Sequence, residues 1–242
     1  MDEKELIKQL HDLKSEMYEV YEANYPDRKE EAAPITDGVY NVKEYLNSNV
    51  KILWLLKEPY CEGDGTGGGW NLAEEAEKHS WFFPLVKNPT FITMAYTSYC
   101  LLENKFYDEP GVPWLNENND AVNKAMLKIA HININKMPGW TRSTWSGVAN
   151  QYPVWKAIIF KQIEAINPEI IICGNTFSIL QDDLSVDELN RVEVKPEISF
   201  ISYAYGSKLI IDAYHPAQTQ ITRETYVDSI KTLVDRWKAS KS

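Results

Sequence analysis

A chain of 242 residues with 44% hydrophobic and 12% aromatic content carries enough apolar material for one large buried core. No apolar run approaches the ~20 residues of a membrane span, and the charged opening MDEKELIKQL lacks the apolar stretch of a secretion signal, so a cytoplasmic protein with no membrane partner is expected. Its 25 basic and 35 acidic residues leave a net charge of −10, which weighs against gripping a long duplex by counterion release unless the Lys and Arg side chains gather on one face.

Residues 2–23 place Leu6, Leu10, Leu13, Met17 and Val20 at spacings of three and four, the pattern of an amphipathic helix. Tyr25–Asp37, with two prolines and a charge run, reads as a loop. Four short apolar runs then read as buried strands: Lys51–Leu56, Ile129–Asn135, Glu169–Cys173 and Lys208–Ala213. Helical patterns cover Asn119–Lys128, Pro153–Ile166 (with Pro near the helix start) and Ile221–Trp237. A further run, Ile198–Tyr203, is placed to pair with Lys208–Ala213 as a hairpin around Gly206. Buried strands alternating with helices predict a single α/β domain, a three-layer α/β/α sandwich on a mainly parallel four-stranded sheet.

Ligands of open parallel sheets bind outside the carboxyl ends of the strands. The first predicted strand ends in Lys57-Glu58-Pro59-Tyr60 and a glycine-rich loop, Gly63–Gly69, followed by Trp70. The second ends in Asn133 and continues to Gly139, the third reaches Gly174-Asn175, and the fourth delivers Tyr214-His215-Pro216-Ala217. A carboxylate, an amide and an imidazole therefore collect at one edge of an apolar sheet. Taken singly, Glu58 reads as a solvated loop carboxylate, Asn133 as a strand-end cap and His215 as a turn residue. GDGTGGG has no following Lys and does not fit a phosphate loop; its plain reading is a mobile lid. Cys61, Cys100 and Cys173, with His11, His79, His131 and His215, show no metal-ligand spacing, so neither metal nor cofactor is expected.

These segments together resemble the uracil-DNA glycosylase superfamily. LKEPY (Leu56–Tyr60) is similar to its water-activating motif, GQDPY or GEAPG, and YHPAQ (Tyr214–Gln218) to its HPSP motif. NINKMPG (Asn133–Gly139) and NPEIIICGN (Asn167–Asn175) are similar to the segments between them. The likeness spans residues 50–235, leaving 1–49 as an N-terminal helical extension of a 1–242 domain. It implies a DNA-repair hydrolase that draws a nucleotide into a tight pocket and cleaves its N-glycosidic bond. Asn133 would read the base edge, Trp70 or Tyr60 would stack on it, Asn175 and Ala217 would contribute to binding, His215 would donate to the leaving base, and Glu58 would position water or face the cationic sugar.

The sequence also departs from the family. Leu56 stands where the family has Gly, Lys57-Glu58 replaces Gln-Asp, Ala217 replaces a Ser, and Thr219 occupies the position of a wedging Leu. Glu58 carries its carboxylate one bond, ~1.5 Å, farther than Asp. These changes touch the grip on DNA more than the base chemistry. The alternative expectation is a nucleobase, nucleoside or other small-ligand protein on the same fold, inactive or acting outside DNA. A monomer is expected in either case, with uracil-containing DNA as partner in the first.

Overall fold

The computed structural model describes residues 2–28, 31–78, 88–114, 120–184, 186–194 and 199–241. Helix α1 (Glu3–Asn24) is started by the Asp2 carboxylate, which accepts the Glu5 N–H at 2.9 Å, and buries Leu6, Leu13, Met17 and Tyr21 along one stripe. Strand β1 (Gly38–Val39) and α2 (Val42–Asn47) lead to β2 (Ile52–Leu56), β3 (Tyr60–Gly63), α3 (Leu72–Lys78) and α4 (Pro89–Leu102). Next come α5 (Asp120–Leu127), β4 (Ala130–Asn133), β5 (Gly139–Trp140) and α6 (Trp145–Ile166). The chain finishes with β6 (Ile170–Gly174), the single turn α7 (Phe177–Leu180), β7 (Asp187–Val194), β8 (Phe200–Tyr205), β9 (Lys208–Ala213) and α8 (Arg223–Ser240).

The main sheet is mixed, in the order β1-β4-β2-β6-β9-β8-β7, six strands with the two-residue β1 added at one edge. Its centre, β4-β2-β6-β9, is the parallel quartet predicted from the four apolar runs. The expectation of a four-stranded sheet is corrected at both edges, where β1 pairs antiparallel with β4, β8 with β9, and β7 with β8. The cause at one edge is local. Tyr205 pairs with Lys208 across Gly206-Ser207, and Gly206 adopts φ 58° at the first turn position, so the chain can only fold straight back. Residue 198, the predicted start of that strand, lies outside the described residues.

Period-two alternation sorts the strands between two cores. Ile52, Trp54, Leu56, Ile170, Ile172, Leu209 and Ile211 pack toward α4, α5 and α8. Leu53, Leu55, Ile171, Cys173 and Ile210 pack toward α1, α6 and α7. Helix α4 is buried along nearly its whole circumference and so lacks the polar stripe that marks a surface helix. Helix α6 begins at Trp145, eight residues before Pro153, because Thr144 supplies the cap by accepting the Gly147 N–H. Pro153 therefore sits inside the helix and not at its start. Helices α5 and α8 follow the predicted spans within a few residues, although Asn119 lies outside the described residues. Among the described residues no helix is long and apolar enough to cross a membrane.

Candidate functional site

Because β2, β4, β6 and β9 are parallel, their carboxyl ends share one edge, and a cleft of about 790 Å³ opens there. Glu58, Asn133 and His215 all line it, as do Tyr60 and Trp70. The chain beyond β2 and the chain beyond β4 stay paired past the sheet: Ile134 N–H donates to Leu56 O, Asn135 N–H to Lys57 O and Gly139 N–H to Pro59 O, all within 2.9 Å. Strands β3 and β5 continue this pairing as a separate parallel pair. The Glu58 segment and the Asn133 segment are thus held in register by backbone bonds.

Glu58 is fixed by two donors. Asn135 Nδ2 reaches its Oε2 at 3.1 Å, and the Ser143 hydroxyl donates to Oε1. Its side chain lies flat on Gly139, where an added Cβ would come within 2.7 Å of Glu58 Cγ. Leu56 turns into the core against Gly174; a Cβ there would meet Leu56 Cδ2 at 2.5 Å. The absence of a side chain at 174 makes room for Leu56.

His215 accepts the Ala217 N–H at Nδ1, 3.2 Å away, which leaves the ring proton on Nε2. Burial, helped by the nearby Lys57 ammonium, pulls its pKa down to about 4, so the ring is neutral near pH 7. Burial also lowers the pKa of Lys57. Ala217 acts here through its backbone on His215 and does not line the cleft. Asn175 does not line it either: in the left-handed conformation, φ 60°, its N–H ties the ends of β6 and β9 by donating to Cys173 O and Ala213 O.

Asn133 is almost fully buried, and its Nδ2 donates to Asp37 Oδ2 at 3.2 Å. Its backbone N–H donates to the same oxygen at 2.7 Å. Lys136, with no exposed surface, reaches Asp37 Oδ1 at 2.7 Å. Gln162 bonds both members of this pair.

Sequence reasoning missed Asp37, hidden at the end of an apparent loop, and His131 and Phe91. His131 lies two residues before Asn133 on β4, hence on the same face of the strand, and that spacing is the signal that could have found it. Its Nδ1 sits 3.0 Å from the Tyr40 hydroxyl, its Nε2 is buried with no hydrogen bond of normal geometry among the described residues, and burial lowers its pKa to about 4 against the opposing pull of Asp37 and the Asn133 side chain. Phe91, in the first turn of α4, meets the His131 ring edge-on at 6.4 Å and lines the cleft.

The glycine-rich loop is anchored along its length. Gly67 exchanges backbone bonds with Glu31 and Ala33, Arg28 donates to Gly65 O at 2.6 Å, and a Cβ on Gly68 would stand 2.0 Å from Ala33 O. Close backbone contact is what the glycines provide in this conformation. Among the described residues no group of three His, Cys, Asp or Glu side chains could hold a metal ion. Compared with known proteins, the chain matches no family model and no curated sequence.

Proposed function

We propose that the chain is a hydrolase of the uracil-DNA glycosylase-like kind, releasing uracil or a related damaged base by cleavage of its N-glycosidic bond, as in DNA repair. The observation that carries this reading is the meeting of Glu58, Asn133 and His215 in one cleft although 157 positions separate the outermost two (215 − 58). Each brings a different element of the chemistry. Asn133 offers an amide, donor and acceptor together, to the edge of a base. Phe91, Trp70 and Tyr60 are aromatic walls on which a planar ring can stack. As the bond breaks, the base gains negative charge, and the neutral His215 donates from Nε2 to its oxygen without a competing proton transfer. The sugar gains positive charge, and Glu58, held by Asn135 and Ser143, faces it or orients the attacking water.

A second reading keeps the pocket and dispenses with nucleic acid. Among the described residues, Glu58, Glu62 and Glu75 line the cleft against one cation, Lys57, an unfavourable rim for a phosphate backbone. That charge suits a free nucleoside or nucleobase. Incubating the protein with uracil-containing single-stranded and double-stranded oligonucleotides, and separately with uridine and deoxyuridine, tests both. Release of uracil from an oligonucleotide supports the first reading. Release only from nucleosides supports the second, and binding without release from any of these reduces the protein to a ligand-binding module.

A further inference from the structure

We infer that Asp37 is a positioning residue which locks the Asn133 amide in one orientation and so commits the cleft to a ring edge bearing N–H beside a carbonyl, against one bearing a ring nitrogen beside an amino group. This rests on Asn133 being the base-reading group.

The Asp37 side chain has no exposed surface, and its two oxygens receive four side-chain or backbone donors. Oδ2 takes the Asn133 backbone N–H at 2.7 Å and the Asn133 Nδ2 at 3.2 Å. Oδ1 takes Lys136 Nζ at 2.7 Å and Gln162 Nε2 at 3.1 Å. Gln162 is fixed in turn, because its Nε2 also donates to the Asp37 carbonyl at 3.1 Å and its Oε1 accepts from Lys136 at 2.8 Å. Each Asp37 oxygen thus meets two N–H donors, among them the Asn133 backbone N–H, which can only donate, so the carboxyl group is used as an acceptor on both sides.

Turning the Asn133 amide over would bring its oxygen against the carboxylate oxygen with no hydrogen between them. The NH₂ group must therefore face Asp37, and Oδ1 faces the other way. One N–H of the amide is committed to Asp37, leaving the other beside Oδ1 for a ligand. An acceptor next to a donor, in that fixed order, matches the N–H and carbonyl of a 2,4-dioxopyrimidine. A 4-aminopyrimidine presents the reverse order and would need the flipped amide that Asp37 forbids. Asp37 itself does not line the cleft, so its influence passes through Asn133.

The test uses the full chain with uracil and cytosine each blocked by a methyl group at N1 as probes, because unblocked cytosine also carries an N–H beside a carbonyl at N1 and C2, and affinities are measured by calorimetry or competition. The wild type is expected to prefer uracil by ~10-fold or more, since a polar site left mispaired rejects the wrong ligand strongly. Asp37→Asn supplies an amide that can donate as well as accept, frees Asn133 to turn, and should bring the two affinities within ~3-fold of each other. The single variant leaves the Lys136 charge buried without its partner, so Asp37→Asn combined with Lys136→Met carries the test if the single variant fails to fold. A folded variant that keeps the full preference overturns the lock while leaving Asn133 as reader. Equal weakening of both ligands, the mark of a merely structural residue, also overturns it. A wild type with no preference overturns the reading by Asn133 and the lock together, an outcome distinct from the other two.

Discussion

With Nδ1 engaged by Ala217 and its pKa held near 4, His215 presents an uncharged N–H donor across the whole neutral range. The pH–rate profile should accordingly show no inflection near 6.5, where an ordinary histidine titrates, and should fall only as pH approaches 4. The same depression has a stability side. A histidine whose folded pKa lies below its unfolded value contributes fully above pH ~6.5 and loses that contribution as pH drops toward 4, and His131 follows the same course. Acid unfolding should begin in that window, and His131→Phe should move its onset to lower pH. Asp212 behaves oppositely. Burial raises its pKa to about 6, so the folded chain bears a cost above pH 6 that vanishes below its unfolded value near 3.8. Asp212→Asn should raise stability at pH 7 by roughly 1–3 kcal/mol and change little at pH 3.5 in urea titrations. For catalysis, His215→Ala and Glu58→Gln should each lower turnover by ~100-fold or more with little change in substrate affinity. Loss of affinity at unchanged turnover would refute those roles.

Among the elements, the two paired strand extensions set the position of Glu58, and Gly139 is the joint between them. Its backbone does not require glycine, so Gly139→Ala should fold, yet the new Cβ must push Glu58 aside. A shift of about 1 Å at a reacting group can cost ~100-fold, so turnover should fall 10- to 100-fold while the melting temperature moves little. Pro153, exposed within α6, withholds one hydrogen bond from the Ala149 carbonyl. Pro153→Ala should raise the melting temperature, with a ceiling of ~3 kcal/mol. The parallel quartet was legible because continuous runs such as KILWLL and EIIIC state burial on both faces. Their strand ends then followed from topology, which brought Glu58, Asn133 and His215 into view. Strands β1 and β7 were not legible, one being two residues long and the other, DELNRVEV, carrying no apolar run. Asp37 was invisible for another reason. Its partners lie 96 to 125 positions away, and nothing local in PITDG announces a buried charge.

At the scale of the molecule, the net charge of −10 and the carboxylates at the cleft predict slow encounter with duplex DNA that quickens as salt screens the repulsion. Association rates measured from low to moderate salt should rise, whereas a steep fall would reveal a basic binding face. The charge-rich sequence of β7 discourages edge-to-edge pairing, so sedimentation should report a monomer. The described residues up to 49 are part of this assembly: α1 packs on α6, β1 extends the sheet, and Asp37 bonds Asn133 from behind the cleft. The Asp37–Lys136 contact takes two charged groups wholly out of water, a cost recovered only when the surrounding partners have closed over the pair. A chain emerging from its unfolded state should thus acquire helices and most of its sheet while the Asn133 amide still turns freely. Stopped-flow refolding should recover far-ultraviolet ellipticity before the ability to tell uracil from cytosine, giving a brief interval in which a nearly native pocket accepts either base.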